Sequence, residues 1–310
     1  MHHNVYDRFQ GCWWGSILGQ SFILPLDRED RVTSLWLQKR RKVARMLLKQ
    51  SRVDDIVVTL LQSASGAVDE DNLSTQDESM LALLPTIIFG ADNKIIQFQH
   101  ILQNNFNIAN VTENKFRQDL LIWSQLVYVV LNSKFLAATR LQINELFKVQ
   151  QAQNSLISKL KLVCEGIDSG ISLHQLYRKI RESNNYRETA IALSWYCFAT
   201  TPRDFYLSVQ RASRIESQTA LLTVALTGIL SGAYNGMTRI SVYRRSISVR
   251  DNYQSIENDL FDKLFNYWLG VYTVENSCHS CNLEIEAIAP PRFIQTRSKL
   301  KIISQSNFGN

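Results

Sequence analysis

Residues 217–236 read SQTALLTVALTGILSGAYNG, and this stretch decides the fold of the chain. Its apolar character predicts a helix, with Ser217 as the N-cap. Two small residues, Gly228 and Gly232, stand four positions apart and therefore share one face of that helix. The closing sequence Gly-Ala-Tyr-Asn-Gly is expected to end it.

The N-terminal part of the chain carries a second glycine pattern, inside the apolar residues 9–23. Gly11, Gly15 and Gly19 recur at every fourth position. On a helix they stack along one face and let another backbone approach closely. Pro25 is expected to end this helix, because proline lacks the N–H that a continuing helix needs.

Helical spacing dominates the rest of the chain, and no linker of biased composition divides it. Only 12 Gly and 5 Pro occur in 310 residues, which favours helices over a turn-rich β architecture. We therefore predict an all-α fold, with one multi-helix domain over residues 1–290 and a basic polar tail at 291–310 that frays. The further predicted helices are 34–50, 53–63, 80–89 with a break or kink at Pro85, 114–131, 137–153, 155–163, 187–199, 202–214 and 256–271.

Local patterns add three expectations about where these helices begin and what separates them. Thr112 has the position of an N-cap for helix 114–131. Thr201 is the predicted N-cap of helix 202–214, with Pro202 as its first residue. Residues 65–78 are polar, acidic and without periodicity, so they are predicted to form a mobile loop.

The composition points to an ordinary globular protein. The chain is 45% hydrophobic and 20% charged, which is enough apolar material for a sizeable core. No uninterrupted apolar run reaches the roughly 18 residues of a membrane-spanning helix, and the N-terminus has no apolar signal core. We therefore expect a soluble cytoplasmic protein without a membrane partner.

The chain is mildly basic, with a formal net charge of +6, and its main basic cluster lies at residues 39–52. Apolar residues such as Val43 and Leu47 are interleaved with the charges, which predicts the solvated face of an amphipathic helix. We do not expect a nucleic-acid partner. An interaction or regulatory protein whose basic helix meets an acidic partner is an alternative reading of the same cluster.

Five cysteines occur, without the spacing of a secreted disulfide scaffold. Cys12, Cys164 and Cys197 have apolar neighbours and are expected to be reduced core residues. Cys278 and Cys281 could form half of a zinc site, but a structural zinc needs four ligands and no second Cys/His pair lies nearby. An exposed reduced pair is the expected state.

Three segments, taken in order, point to a known family. Residues 8–20 read RFQGCWWGSILGQ, residues 53–56 read VDDI, and residues 228–236 read GILSGAYNG. Their order resembles the ADP-ribosylglycohydrolase family, which includes the dinitrogenase-reductase activating glycohydrolases and the J1-crystallins. The likeness is spread over about residues 6–240, and it implies an all-helical fold.

The family binds two magnesium ions through aspartates, and the resemblance locates the corresponding positions here. Gln20 stands where the family has an aspartate after the last glycine of its first helix. Asp54 and Asp55 match the two carboxylates of a Thr-Asp-Asp-Thr motif, without its threonines. Thr219 and Leu221 stand at the two aspartates of a Gly-Gly-Asp-Thr-Asp-Thr motif.

These replacements bear on catalysis, because a pair of Mg²⁺ ions needs several oxygen ligands, mostly carboxylates. Leu221 supplies no oxygen, and Thr219 supplies only a neutral one. The resemblance therefore implies a pseudoenzyme without a cofactor, which binds an ADP-ribose-like nucleotide or a protein partner. The candidate ligand-binding residues are Gln20, Asp54, Asp55 and Thr219.

Two alternatives stay open for the acidic pair. Asp54 and Asp55 could support an active ADP-ribosyl hydrolase with a single or atypical magnesium, in which a carboxylate orients or deprotonates the attacking water. Glu216 is the nearest spare carboxylate for such a site. Alternatively, the pair complements the dipole at the N-terminus of helix 53–63 and has a structural role only.

Overall fold

The computed structural model describes residues 5–23, 35–49, 56, 75–89, 111–132, 154–181, 185–215, 219–240 and 251–269. Helices make up most of these residues, and no strand occurs among them. The predicted all-α multi-helix fold is therefore confirmed. The helices are α1 Val5–Gln20, α2 Leu35–Leu48, α3 Thr75–Ala82, α4 Leu84–Phe89, α5 Val111–Asn132, α6 Ser155–Asp168, α7 Leu173–Ile180, α8 Tyr186–Thr200, α9 Phe205–Ser213, α10 Ala220–Asn235 and α11 Asp251–Leu269.

The antiparallel pair α1–α10 lies at the centre of the fold, and its glycines meet backbone to backbone. Gly15 faces Gly228, and Gly11 faces Gly232. A Cβ atom built on Gly15 would come within 2.7 Å of the carbonyl carbon of Gly228, closer than side chains pack. The close approach predicted from the glycine spacing is therefore confirmed, and its partner is the helix of residues 217–236.

Polar side chains close one end of this helix pair, where the N-terminus of α1 meets the C-terminus of α10. Gly236 ends α10 with φ of 73°, a left-handed conformation that glycine adopts without a Cβ penalty. The carboxylate of Asp7 accepts hydrogen bonds from the backbone N–H of Thr238 (2.8 Å) and from its hydroxyl (2.7 Å). Arg8 donates to the last-turn carbonyl oxygens of both α10, at Ala233, and α5, at Val130. These bonds satisfy carbonyl groups that a helix end leaves open.

The other helices surround this pair. α10 also packs against α8, α9 and α5, while α8 packs against α6 and α7. On the other side, α2 packs against α3 and α4. The break predicted at Pro85 lies between α3 and α4, because Leu83 separates them and Pro85 is the second residue of α4.

Side-chain caps fix the starts of α6 to α9. Asn154 and Asn185 accept hydrogen bonds from the first turns of α6 and α8. Ser172 and Gln175 form a reciprocal capping box at the start of α7, a helix that we did not predict. Asp204 accepts from the backbone N–H of Leu207 and caps α9.

Several predicted boundaries are wrong. Helix α9 begins at Phe205 with Asp204 as its cap, so Thr201 is not the N-cap and Pro202 precedes the helix. Thr219, not Ser217, is the N-cap of α10. Helix α5 already begins at Val111, which places Thr112 inside it.

The predicted loop 65–78 is also partly wrong, since its last four residues belong to helix α3. Residues 65–74 lie outside the described part of the chain. So do the predicted helix 137–153, the tail 291–310 and all of the predicted helix 53–63 except Ile56, which is helical and buried.

The pattern of contacts divides the chain into residues 1–264 and residues 265–310. The described part of the second unit is the final stretch of α11, where the rings of Phe265 and Trp268 lie 5.6 Å apart. The predicted boundary near residue 290 lies outside the described residues. Among the described helices, none combines the length and the apolar character that crossing a membrane would require.

Candidate functional site

The predicted ligand-binding residues lie at one end of the α1–α10 pair, as far as the structure describes them. Because the two helices are antiparallel, the C-terminal end of α1 and the N-terminal end of α10 meet, with Gly19 facing Val224. This arrangement brings Gln20 and Thr219 to the same end. Asp54 and Asp55 lie outside the described residues.

Gln20 is buried and hydrogen-bonded within the protein. Its side-chain oxygen accepts the indole N–H of Trp36 at 2.8 Å, and only 7% of the residue is exposed. Trp36 lies in the first turn of α2. The amide of Gln20 therefore joins α1 to α2, a role that the sequence did not indicate.

Thr219 is also buried, and it is the N-cap that precedes α10. Its carbonyl oxygen accepts hydrogen bonds from both the backbone N–H and the hydroxyl of Thr223, each at 2.8 Å. The first turn of α10 contains no acidic residue. This end of the helix therefore offers backbone N–H groups and neutral side chains, which suit an anionic or neutral ligand better than a cation.

No group of three or more His, Cys, Asp or Glu side chains that could hold a metal ion occurs in the part of the chain that the structure describes. Cys12 and Cys197 are fully buried free thiols, as predicted, and burial raises the pKa of Cys197 to about 12. Cys164 is a half-buried thiol, so the prediction that it belongs to the core is wrong, while Cys278 and Cys281 lie outside the described residues.

A polar cluster that the sequence analysis missed lies on the opposite face of α1. We call it the Glu257 clamp, and it consists of Glu257 from α11, Arg40 and Arg41 from α2, and Trp13 and Ser16 from α1. Arg40 Nη2 lies 2.6 Å from Glu257 Oε2, and Arg41 Nε lies 2.7 Å from Oε1. The indole N–H of Trp13 donates to Oε2 at 3.0 Å.

The clamp is closed off from solvent. The side chains of Arg40 and Glu257 are 0% exposed, and that of Arg41 is 16% exposed. Arg40 also donates to Ser16 Oγ at 2.9 Å, and its guanidinium lies 4.2 Å from the ring centroid of Trp13. Burial alone would raise the pKa of Glu257, but the charges of the two arginines outweigh it and hold that pKa below its ordinary value.

This burial corrects the prediction for the basic helix. Lys42, Arg45 and Lys49 are exposed, as an amphipathic helix predicts, but Arg40 points into the core. Its partner Glu257 is 217 residues away in the sequence, so no local pattern could reveal the pairing. A surface that meets an acidic partner would therefore consist of the three exposed residues and not of Arg40.

A second buried polar cluster joins α5, α6 and α8. Two nitrogens of Arg187, Nε and Nη2, lie 3.0 and 2.9 Å from the same oxygen of Asp119, Oδ2. Glu188 binds Lys115 at 2.9 Å and Lys159 at 3.1 Å. We call this set the Asp119 cluster.

The two carboxylates of the Asp119 cluster differ in their electrostatics. Burial raises the pKa of Asp119 to about 6, in spite of Arg187. Its second oxygen, Oδ1, is buried without a hydrogen-bond partner among the described residues. Glu188 is also buried, but hydrogen bonds from Ser155, Lys115 and Lys159 outweigh that burial and lower its pKa.

No model of a known protein family matches this sequence, and no curated protein matches it either. The relation to ADP-ribosylglycohydrolases therefore stays a prediction that rests on the motifs at residues 8–20, 53–56 and 228–236.

Proposed function

We propose that this chain is an ADP-ribosylglycohydrolase-like protein that has lost di-magnesium catalysis and acts by binding a nucleotide-type ligand at the Gln20–Thr219 end of the α1–α10 pair. The observation that carries this proposal is the hydrogen bond from Trp36 to Gln20. An amide stands where the related enzymes would have a metal-binding carboxylate, and its oxygen is engaged in joining two helices.

The described residues at this end offer little negative charge to a magnesium pair. A divalent ion needs carboxylates to compensate for its lost hydration, and a neutral amide or hydroxyl compensates much less. Gln20 and Thr219 are both neutral, and the first turn of α10 adds no acid. Neutral amide and hydroxyl side chains can bind the hydroxyl groups of a nucleotide. The backbone N–H groups at the start of α10 favour its phosphate oxygens, because they attract anions.

Binding is tested by titrating the full chain with ADP-ribose in a calorimeter, with and without Mg²⁺. We expect binding that does not depend on the metal. Thr219→Val removes the hydroxyl at the proposed site, and we expect it to weaken binding about fivefold, the effect of one hydrogen bond. Thr227→Val is the matched control, because Thr227 lies in the buried middle of the same helix.

Catalysis is tested by incubating the protein with Mg²⁺ and ADP-ribosylated arginine or serine. We expect no release of ADP-ribose. Metal-dependent release that Asp54→Ala abolishes would contradict the proposal, and it would favour an active hydrolase that uses Asp54 and Asp55. Absence of any ADP-ribose binding would also contradict it, and would leave a protein partner as the remaining ligand class.

A further inference from the structure

The Glu257 clamp has the composition of an oxyanion site. Two guanidinium groups and one indole N–H converge on both oxygens of a single carboxylate, at 2.6 to 3.0 Å. The planar guanidinium of Arg40 also stacks on Trp13 and lies 5.2 Å from the ring centroid of Trp36. Paired arginines with aromatic support are the usual means of binding carboxylate and phosphoryl groups.

The carboxylate of Glu257 does not bind every hydrogen-bond donor of the two arginines. Arg40 Nε is buried and has no hydrogen-bond partner among the described residues. Nε and Nη2 share one edge of a guanidinium group, and that edge can grip two oxygens at once. Glu257 binds only Nη2 on this edge, because its other oxygen binds Arg41. A group with three terminal oxygens could reach both arginines and Nε.

We propose that Arg40, Arg41 and Trp13 form a binding site for a phosphoryl group, and that Glu257 occupies this site as an internal substitute ligand. A phosphoryl group displaces Glu257 when the segment of α11 that carries Glu257 lifts from α1 and α2. It offers three oxygens and up to two negative charges to the two guanidinium groups. Trp36 contacts both Gln20 and Arg40, but the groups that bind the phosphoryl oxygens are not those of the Gln20–Thr219 end, so the two proposals can fail independently.

Side chains hold this segment of α11 on α1, and they include the buried ring of Phe261, which packs on the rings of Tyr6 and Trp13 at centroid distances of 5.4 and 5.8 Å. The hydroxyl of Tyr6 donates to Asp262 at 2.6 Å, and the indole of Trp14 donates to Asn258 at 3.1 Å. Such contacts can open without unfolding either helix. Because only the open form binds the ligand, any variant that loosens the segment raises the apparent affinity.

The test is titration of the full chain with inorganic phosphate at constant ionic strength. Glu257→Gln removes the competing charge and keeps the shape of the side chain, so we expect phosphate to bind at least tenfold more tightly than to the wild type. Adding Arg41→Gln to this variant is expected to cancel the gain. Asp259→Asn is the matched control, because Asp259 is an exposed carboxylate on the same helix, and we expect no change.

A second variant leaves every residue of the site in place. Tyr6→Phe removes the hydrogen bond to Asp262, and we expect it to tighten phosphate binding about fivefold, since one lost bond favours the open form by about that factor. This variant decides the question by itself if Glu257→Gln does not fold. Thr219→Val is expected to leave phosphate binding unchanged, which separates this site from the proposed nucleotide site.

The proposal is overturned if both Glu257→Gln and Tyr6→Phe bind phosphate as weakly as the wild type, which would mean that the clamp is a structural ion cluster. It is also overturned if Asp259→Asn gains as much as Glu257→Gln, because the effect would then be one of overall charge. Titration with adenosine monophosphate identifies the source of the phosphoryl group. Tighter binding than that of phosphate indicates a nucleotide, and equal binding indicates phosphate alone.

Discussion

On one face of α1, Gly11, Gly15 and Gly19 bring its backbone against the backbone of α10. On the other face, Trp13 and Trp14 reach α11 through the ends of long side chains. The first interface has no room for an added atom, and its geometry is fixed by the main chain. The second combines the packing of the Phe261 ring on Tyr6 and Trp13 with individual hydrogen bonds and charges, all made by side chains, which can move without displacing the main chain. One helix therefore presents a rigid face and an adjustable face.

The largest effect is expected at the charged centre of the adjustable face. Glu257→Gln leaves Arg40 buried without a counter-charge, and we expect the free energy of unfolding in urea to fall by about 3 to 5 kcal/mol, as when one partner of a buried ion pair is removed. Asp259→Asn, at an exposed position on the same helix, is expected to change it by less than about 0.5 kcal/mol. Equal losses would mean that the clamp contributes nothing of its own.

The rigid face is tested by adding one methyl group. In Gly15→Ala the new Cβ would lie 2.7 Å from a backbone carbon of Gly228, so the two helices must separate. We expect a loss of about 3 kcal/mol in urea unfolding, the upper end of the range for overpacking.

Gly166→Ala is the control for that experiment. Gly166 is buried in α6, but the nearest atom to its added Cβ is Cδ1 of Leu176 at 3.2 Å, on a side chain that can move. A change within about 1 kcal/mol is expected. If Gly15→Ala were equally mild, the backbone contact between α1 and α10 would be looser than described.

The free energy of unfolding is expected to depend on pH in opposite ways at the Glu257 clamp and at the Asp119 cluster. The pKa of Asp119 in the folded protein is about 6, above its ordinary value, so the fold favours the protonated form. Its contribution to stability is therefore complete below about pH 4 and is lost as the pH rises through 6, a change of about 2 to 3 kcal/mol. Asp119→Asn should remove this dependence from unfolding curves measured between pH 4 and 7.

Glu257 is expected to behave in the opposite way. Its pKa is lowered in the fold, so its contribution is complete above the ordinary glutamate range and is lost as the pH falls below it. The difference in free energy of unfolding between the wild type and Glu257→Gln should therefore become smaller in acid. The corresponding difference between the wild type and Asp119→Asn should change between pH 4 and 6. Direct carboxyl titration by NMR checks both signs, and parallel behaviour of the two residues would contradict the assignment.

The smallest predicted effect concerns a single neutral hydrogen bond. Asn258→Ala removes the acceptor of the Trp14 indole N–H on the adjustable face and leaves the fully buried ring of Trp14 in place. We expect a loss of about 1 kcal/mol in thermal or urea unfolding. A loss as large as that of Gly15→Ala would show that this face is as rigid as the glycine face.

The sequence was sufficient for the parts of the fold that repeat locally. The four-residue spacing of Gly11, Gly15 and Gly19 predicts a close contact with another helix. The partner is the apolar helix that carries Gly228 and Gly232. Helix α7 could also have been found, since the Ser-x-x-Gln pattern at its start is a capping-box signature.

The remaining features depend on contacts between distant positions. Arg40 lies four residues after Trp36 and three before Val43, so helical periodicity places it on the buried face of α2. Its counter-charge, Glu257, lies 217 residues away, and the sequence does not reveal that pairing. Gln20 was identified by its position in a motif, but its bond to Trp36 follows from how α2 crosses α1. Asp204 caps α9 although Pro202 favours an earlier start, because a carboxylate that accepts the Leu207 N–H satisfies the first turn.

Hydrogen exchange of individual backbone amides tests the central contrast most directly. We expect the amides of α1 and α10 to exchange only through global unfolding, and those of residues 255–264 in α11 to exchange through a smaller opening with a lower free energy. Tyr6→Phe should lower the opening free energy of the α11 amides further and leave that of the α10 amides unchanged. Equal free energies for α10 and α11 in both proteins would contradict the account.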